Sequence, residues 1–407
     1  MDLAFLRSQL IETWRLPYPS GSYAGRIVVI TGGNSGLGAS RLVLARSADR
    51  GSWTLLHAGV QGPESHGQAT QTAMSSTVAK LLDERVTNEI YNTYYMTDTN
   101  KLWAQAYSPI QNLIVHSTVS DDGMTYAAFE PALQPLDEDD VLRLASPAVP
   151  PNKRSWRLET EADCELMFHT EISNIVMAAW TQYCQVTQSS HIKPPTGNVA
   201  EEVDATYSIR LNRSRKVIAI GEMKRNIIAE SAWASGNVLN VETQVRLSKE
   251  LRGYAHKYQC PQVFCFDGKT LLLLQFRADT LDHICDPHCA VDCWVLPMKS
   301  SAVPLRYALY RLLLQGFRRL QGMYAWPLTV GGLTPIGRRF YDSVPLWRDP
   351  NREGPYIAAI HPGGYRRSVD PNTGAVRWTL NRPGSQEPVD VVWETPAFWG
   401  EHGLQSS

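Results

Sequence analysis

Two carboxylates and an ammonium group are spaced so that they meet at one end of a predicted β-hairpin. If the hairpin turns about Arg213, Asp204 lies directly opposite Glu222. Because side chains alternate along a strand, Glu222 and Lys224 then share one face. Carboxylate oxygens bind divalent metals, and a lysine beside them can orient a water molecule or offset the charge of a phosphate. The two predicted strands span residues 203–211 and 216–224.

The elements around this hairpin are predicted by their apolar spacing. Upstream, residues 165–180 have helical periodicity, and this helix carries Glu171. Downstream, a second amphipathic helix over residues 241–255 places Gln244 near its start. Two further strands, joined by an Asp-Gly turn, follow at 262–269 and 270–276. The order is therefore helix, strand, strand, helix, strand, strand.

This order and the Asp204, Glu222 and Lys224 pattern resemble the PD-(D/E)xK nuclease superfamily over residues 164–278. The resemblance implies an α/β fold with a restriction-endonuclease-like core. It also implies Mg²⁺ held by Asp204 and Glu222, with Lys224 positioning or deprotonating the attacking water. Glu171 would tune the metal shell, and Gln244 would contact water or backbone.

The same resemblance leaves two functions open. One is metal-dependent hydrolysis of a phosphodiester in DNA or RNA, and the other is a catalytically inactive relic with the same fold. The stretch from Gly253-Tyr254 to Phe266-Asp267-Gly268 resembles versions common in fungal proteins. The residue before Asp204 is Val203, where the superfamily motif has a proline.

A glycine-rich motif near the start predicts a different chemistry. Residues 27–38 read as an apolar strand that runs into a turn containing Gly32, Gly36 and Gly38. Glycines in such a turn let the backbone approach a pyrophosphate. The motif resembles the opening of a short-chain dehydrogenase/reductase and implies NADP(H) binding. An NADP(H)-dependent oxidoreductase is therefore the alternative function.

The residues that follow break this second motif. Residues 39–51 resemble the second strand of the same family, but Gly38 joins the two strands directly. A parallel crossover needs about a dozen residues, usually in a helix. The family's Tyr-x-x-x-Lys pair is also missing from the sequence. We interpret residues 1–51 as a remnant, an incomplete Rossmann-like fragment whose glycine turn cannot close around a phosphate.

Composition indicates an ordinary globular protein with several parts. The formal net charge is −1, so no global basic field favours nucleic acid. We expect no membrane association and an intracellular protein, cytoplasmic or nuclear and not secreted, because no long apolar run or secretion signal is present. The predicted parts are a remnant at 1–51, a linker at 52–77, a nuclease-like domain at 78–325 and a loop-rich, partly disordered tail at 326–407.

Two groups of charged residues outside the core are expected on the surface. Asp137 to Asp140 read as an exposed helix start. Four arginines lie mostly off the apolar face of a strong amphipathic helix at 305–320, and a solvated surface is the simplest interpretation for them. These arginines are Arg306, Arg311, Arg318 and Arg319.

Overall fold

A computed structural model of the chain divides it into two units, Met1–Ala73 and Met74–Ser407. In the first unit the structure describes the backbone of three strands. In the second it describes residues 76–130, 132–181, 186–195, 201–211, 214–349 and 357–395.

The three strands of the first unit form an antiparallel sheet. They are β1 (Ile27–Thr31), β2 (Arg41–Arg46) and β3 (Trp53–Ala58), paired in that order. A Rossmann unit requires a parallel pair with a crossover helix. The three strands therefore do not form a Rossmann unit, because the short connection between β1 and β2 permits only the antiparallel arrangement. Strand β3 also occupies the predicted linker at 52–77, whereas Gly32, Gly36 and Gly38 lie outside the described residues.

The second unit is built around a seven-stranded mixed sheet. Its strands lie in the order β11-β12-β13-β14-β15-β16-β6. In chain order they are β6 (Leu113–Val115), β11 (Val186–Ser189), β12 (Ala205–Leu211), β13 (Ser214–Met223), β14 (Gln262–Phe266), β15 (Thr270–Phe276) and β16 (Val291–Pro297).

Shorter strands form five small sheets around it. They are β4 (Ser76–Thr77), β5 (Glu89–Asn92), β7 (Ser117–Val119), β8 (Thr125–Ala127), β9 (Pro147–Ala148), β10 (Ser155–Leu158), β17 (Gly337–Arg338), β18 (Pro345–Arg348), β19 (Ile357–Ala358), β20 (Arg366–Val369), β21 (Val376–Asn381) and β22 (Pro388–Trp393).

The helices of this unit cover both faces of the large sheet. They are α1 (Val78–Leu82), α2 (Glu138–Leu144), α3 (Glu161–Phe168), α4 (Asn174–Ala178), α5 (Glu230–Ala234), α6 (Glu242–Lys257) and α7 (Leu305–Met323). A π-helical turn, His169–Ser173, joins α3 to α4 without a break. Single 3₁₀ turns span Leu102–Ala106, Val238–Asn240 and Asp282–Cys285.

Alternating strand residues pack on two separate apolar cores. Phe264 packs on the face that also holds Phe168 of α3 and the apolar side of α7. Val263, its neighbour in β14, packs on the opposite face with Leu247 of α6. This alternation is what a sheet buried on both faces requires. The second unit is thus a mixed α/β fold with helices on each side of the sheet.

The described residues after 326, predicted as a loop-rich tail, contain short strands and a small apolar core. Strands β20, β21 and β22 form an antiparallel sheet. Trp347 and Trp378 pack edge to face in a small apolar core with Leu328, Val330 and Tyr365. Gly and Pro are frequent here because they form the turns between short strands.

The four arginines and the aspartate run expected on the surface are mostly buried. Each of the four arginine side chains is at most 3% exposed. Arg318 of α7 donates to Asp139 at 2.9 Å and to Asp140 at 3.1 Å, and Arg143 also donates to Asp140. The expectation failed because charged residues enter a core when they pair with one another. This network fastens α2 to α7.

No helix among the described residues has the combination of length and apolar character that a membrane crossing demands.

Removing Arg318 tests the contribution of this network. Arg318→Ala leaves two buried carboxylates short of a partner, so we expect a loss of about 3–5 kcal/mol in the free energy of unfolding, measured by urea denaturation. The matched control is Arg382→Ala, because Arg382 pairs with Glu387 at 3.7 Å where both side chains are well exposed. That control should lose less than about 1 kcal/mol. Equal losses in the two variants would contradict a stabilising role for the buried network.

Candidate functional site

A bulge in the hairpin sets the register that brings Asp204 opposite Glu222. Near the turn, Leu211 pairs with Ser214, but beyond a register shift at Tyr207 and Ser208 the pairing becomes Ala205 with Gly221. Ile218 is the extra residue on β13. Continuing the shifted ladder by one residue places Asp204 opposite Glu222, as the sequence predicts. Asp204 Oδ2 accepts a hydrogen bond from the Met223 backbone N–H at 2.6 Å, which fixes the carboxylate at the end of β13.

Glu222 lies in a buried cluster of opposite charges. Its Oε1 atom is 2.6 Å from Lys224 Nζ and 3.2 Å from Lys101 Nζ. Both ammonium groups also contact Glu250 Oε1 of α6, Lys101 at 3.1 Å and Lys224 at 3.4 Å. The side chains of Glu222 and Glu250 are 2% and 0% exposed. Two lysines and two glutamates therefore alternate around a shared, nearly dry centre.

Asp204 also belongs to a second group that opens to solvent. The Asp204 Oδ1 atom lies 3.8 Å from His191 Nδ1, and the Glu165 Oε2 atom lies 3.4 Å from His191 Nε2. One ligand atom from each of these three residues lies within 4.8 Å of the others, a spacing that can hold a metal ion. His191 is 55% exposed, so this side of Asp204 is accessible to water and ions.

The helix start at Thr160 positions the acidic residues of α3. Thr160 Oγ1 accepts from the Asp163 backbone N–H at 3.2 Å, and Asp163 Oδ2 accepts from the Thr160 backbone N–H at 2.7 Å. This capping box fixes the first turn of the helix. Glu161 in that turn lies 3.8 Å from Lys224 Nζ. The helix therefore adds Glu161 and Glu165 to the carboxylates around the hairpin end.

Burial and like charges shift the pKa values of the carboxyls. Burial, with added repulsion from Asp204 and Glu250, raises the pKa of Glu222 to about 8 against the attraction of Lys224. Burial also raises the pKa of Asp204. Burial opposes ionisation of Glu250 too, but Lys224 and Lys101 lower its pKa. Near neutral pH, Glu222 therefore retains a proton that its counterpart in an unfolded chain releases.

The lysines respond in the opposite direction. Burial by itself would lower the pKa of Lys224, but the adjacent Glu222 and Glu250 raise it well above its usual value. The pKa of Lys101 is raised by the same two carboxylates, again against burial. Both side chains therefore stay ammonium groups at neutral pH. Lys224 is suited to orienting a water or offsetting negative charge, and not to removing a proton.

One oxygen of the cluster fits a cation. Glu222 Oε2 is buried and has no hydrogen-bond partner among the described residues. A buried carboxylate oxygen without a partner is costly. Glu222 Oε2 and Asp204 Oδ1 are hard oxygen donors of the type that Mg²⁺ and Mn²⁺ prefer. Among the described residues, the ligand atoms that lie close enough together to hold one ion are those of Glu165, His191 and Asp204, and Glu222 follows Asp204 as the adjacent buried carboxyl.

Two predicted site residues have their side chains engaged elsewhere. Glu171 lies in the π-helical turn, where its Oε1 accepts from Trp156 Nε1 and Asn88 Nδ2, each at 2.8 Å. Gln244 Oε1 accepts from Trp233 Nε1 at 2.6 Å, and its Nε2 donates to the Ile227 carbonyl at 2.8 Å. Both side chains thus connect neighbouring segments of the chain. Their hydrogen bonds are to these segments and not to Asp204, Glu222 or Lys224.

Four residues near the site were not predicted from the sequence. Glu165 takes the position beside Asp204 that we expected for Glu171, and Glu250 takes the place on α6 that we expected for Gln244. Each is six positions from the predicted residue along the same continuous helical stretch and so points to a different side, which helical periodicity alone does not select. Lys101 and His191 carry no local signal, since they come from irregular segments.

Comparisons with known proteins inform only a short part of the chain. No family model matches the sequence, and no solved structure matches it. A segment of 61 residues is 46% identical to a short chain dehydrogenase/reductase from Cryptosporiopsis sp. (strain 8999). The match covers 12% of this chain and 18% of that relative. The chain therefore contains a short segment similar to this class of enzyme and spans less than a fifth of the relative's length.

The raised pKa of Glu222 predicts a pH dependence of stability. Between its unfolded value of 4.5 and its folded value of about 8, the unfolded chain releases a proton that the folded protein keeps. The free energy of unfolding therefore falls as pH rises through this window, and the loss is complete above about pH 8. Glu222→Gln removes the titration. In EDTA, the melting temperature of the wild type should fall relative to this variant between pH 5 and 8.5.

The matched control for this pH series is Glu387→Gln, because the Glu387 side chain is 75% exposed. Its melting curve should follow the wild type at every pH. A constant offset between wild type and Glu222→Gln across the range would show that Glu222 has an ordinary pKa.

Proposed function

We propose that the second unit is a PD-(D/E)xK nuclease-like domain whose chemistry is metal-dependent hydrolysis of a phosphodiester in DNA or RNA. The observation that carries the proposal is the convergence of Asp204, Glu222 and Lys224 at one end of the hairpin, with Glu222 Oε2 buried and lacking a partner among the described residues.

The order of elements supports the same fold. Helix α3 is followed by the β12 and β13 hairpin, helix α6 and strand β14, and β13 pairs with β14 in parallel. The resemblance implies a restriction-endonuclease-like core with this order of elements. The carboxylates lie where β12 begins and β13 ends, with α6 covering the same face of the sheet through Glu250.

Each residue has a role in the proposed reaction. Asp204 and Glu222 would hold Mg²⁺, which supplies Lewis acidity and lowers the pKa of a bound water. Lys224 remains an ammonium group 2.6 Å from Glu222, so it would orient the attacking water and offset charge on the phosphate. The raised pKa of Glu222 means that metal binding would release a proton, and metal affinity should increase with pH toward about 8.

An inactive relic would keep the fold and lose the metal. It would retain Glu222 and Lys224 as a buried hydrogen-bonded pair and gain no stability from divalent ions. The two cases therefore differ in a measurable way, because an ion that binds only the folded state stabilises it by about 2.7 kcal/mol at a hundredfold excess over Kd.

Metal-dependent melting and cleavage test the proposal. In wild type, Mg²⁺ or Mn²⁺ should raise the melting temperature, and Asp204→Ala should abolish the shift. Lys224→Met should keep the shift and lose cleavage of single- and double-stranded DNA and RNA, since its ammonium group acts on the reaction. Asp279→Ala is the matched control, because this side chain is 67% exposed. If the wild type shows neither a metal-dependent shift nor cleavage, the proposed hydrolysis is overturned and the domain is an inactive relic.

The second candidate function is NADP(H)-dependent oxidoreduction, favoured by the 61-residue similarity to a short chain dehydrogenase/reductase. Under this function Gly32, Gly36 and Gly38 would contact the cofactor pyrophosphate. The antiparallel pairing of β1 with β2 is evidence against this function, because the glycine-rich dinucleotide-binding motif begins a parallel βαβ unit.

NADPH titration of the full chain decides this alternative. We expect no saturable quenching of tryptophan fluorescence and no melting shift at NADPH concentrations up to about 1 mM, a level well above the Kd of a typical cofactor site. Saturable NADPH binding that is weakened by Gly36→Ala would favour the oxidoreductase function over the nuclease function.

A further inference from the structure

The ammonium group of Lys101 lies where it competes with a metal for Glu222. Lys101 Nζ is 3.2 Å from Glu222 Oε1, 3.1 Å from Glu250 Oε1 and 2.6 Å from Tyr254 Oη. It also lies 5.2 Å from the centre of the Tyr254 ring. Three oxygens and an aromatic face are a complete set of partners for a cation. The Lys101 ammonium group is thus a cation of the chain itself, in contact with the Glu222 carboxyl of the proposed metal site.

Lys101 belongs to neither the hairpin nor α6. It ends an irregular segment, residues 93–101, which follows β5 and leads into the 3₁₀ turn Leu102–Ala106. Four hydrogen bonds join this segment to Arg225, the residue after Lys224, two of them from the Arg225 guanidinium to Thr93. The Thr97 N–H donates to the Arg225 carbonyl, and the Arg225 N–H donates to Thr97 Oγ1, each at 3.0 Å. Thr99 Oγ1 donates to Glu250 Oε2.

Exposure distinguishes the two lysines of the cluster. The Lys224 side chain is 4% exposed, whereas that of Lys101 is 36% exposed. Lys224 is therefore enclosed, and Lys101 is the ammonium group that can move into solvent. The segment behind it is unusually apolar on its surface, because Tyr94 is fully exposed and Tyr95 and Met96 are more than half exposed. Hydrogen bonds of Thr93, Thr97 and Thr99 hold the segment in place, so the part free to leave the carboxylates is the Lys101 side chain.

We infer that Lys101 is a tethered cation that occupies the metal-binding carboxylate until a divalent ion displaces it. Segment 93–101 would then control metal loading of the site. This inference rests on the proposed function, since it concerns the metal that Asp204 and Glu222 would hold. Its physical basis is like-charge competition, because an ammonium group and a divalent cation cannot share Glu222 and Glu250 in a dry site without strong repulsion.

Mn²⁺ binding to the full chain tests the inference without reliance on activity. Free Mn²⁺ is measured by electron paramagnetic resonance in wild type, Lys101→Met and Lys101→Arg. We expect Lys101→Met to bind Mn²⁺ at least about tenfold more tightly than wild type, because a unit charge beside the site is removed. Lys101→Arg keeps the charge and should stay within about threefold of wild type. Lys153→Met, at an exposed lysine, is the matched control and should bind as wild type does.

Stability measurements guard against an unfolded variant. Without metal, Lys101→Met should melt below wild type because Glu222 and Glu250 lose a partner, and Mn²⁺ should restore the melting temperature. The double variant Lys101→Met with Glu250→Gln removes one charge of each sign, so it should fold as well as wild type and still bind Mn²⁺ more tightly than Glu250→Gln alone.

The outcomes separate the inference from the proposed function. If wild type binds Mn²⁺ and folded Lys101→Met binds it no more tightly, the tethered cation is refuted and the metal site stands. If neither wild type nor any Lys101 variant binds Mn²⁺, the proposed function fails and the inference fails with it. Tight Mn²⁺ binding that is gained only in Lys101→Met supports both the inference and the proposed function.

Discussion

The bulge at Ile218 is the constraint on which the site depends, because each residue of a strand turns its side chain to the opposite face. Without this extra residue, the register near the turn would continue, and Asp204 would no longer face Glu222. Helix α7 holds the bulge in place. A Cβ atom at Gly316 would lie 1.9 Å from the Ile218 carbonyl oxygen, so only glycine lets the helix approach so closely. Helix α7 therefore covers the sheet and also packs against the bulge that sets the register between Asp204 and Glu222.

Charge balance is the second constraint, and it links folding to function. Glu222 and Glu250 are buried at a cost that only nearby cations offset. Lys224 and Lys101 supply those cations, yet Glu222 still keeps a raised pKa and an oxygen without a partner among the described residues. A site that was fully satisfied by its own ion pairs would have no affinity for a metal. In this cluster the lysines offset part of the cost of burying the carboxyls, while Glu222 Oε2 has no hydrogen-bond partner among the described residues.

Much of the site's scaffold can be predicted from the sequence, because strand alternation and helix periodicity are local signals. The hairpin and the helices on either side follow from them, whereas the alignment of Asp204 with Glu222 also requires the bulge at Ile218, which these signals do not predict. The choice among residues on one helix does not follow from them either. Glu165 and Glu171 are six positions apart and point to different sides of α3 and the π-helical turn, and only tertiary packing selects Glu165. Lys101 reaches Glu222 across more than a hundred residues, a contact that no periodicity reveals.

The same distinction explains the buried arginines. Binary patterning assigns charged residues to the surface, and that rule holds for unpaired charges. Arg318 violates it because Asp139 and Asp140, far away in sequence, meet it inside the unit. Paired charges occur both in the α2–α7 network and in the Glu222 cluster, but the two groups differ in the ratio of acidic to basic side chains. The aspartates of α2 share two arginines and have direct partners. The carboxyl groups at the hairpin outnumber their lysines once Asp204, Glu161 and Glu165 are included. This difference in balance is why we propose a cation site at the hairpin and not at the α2 network.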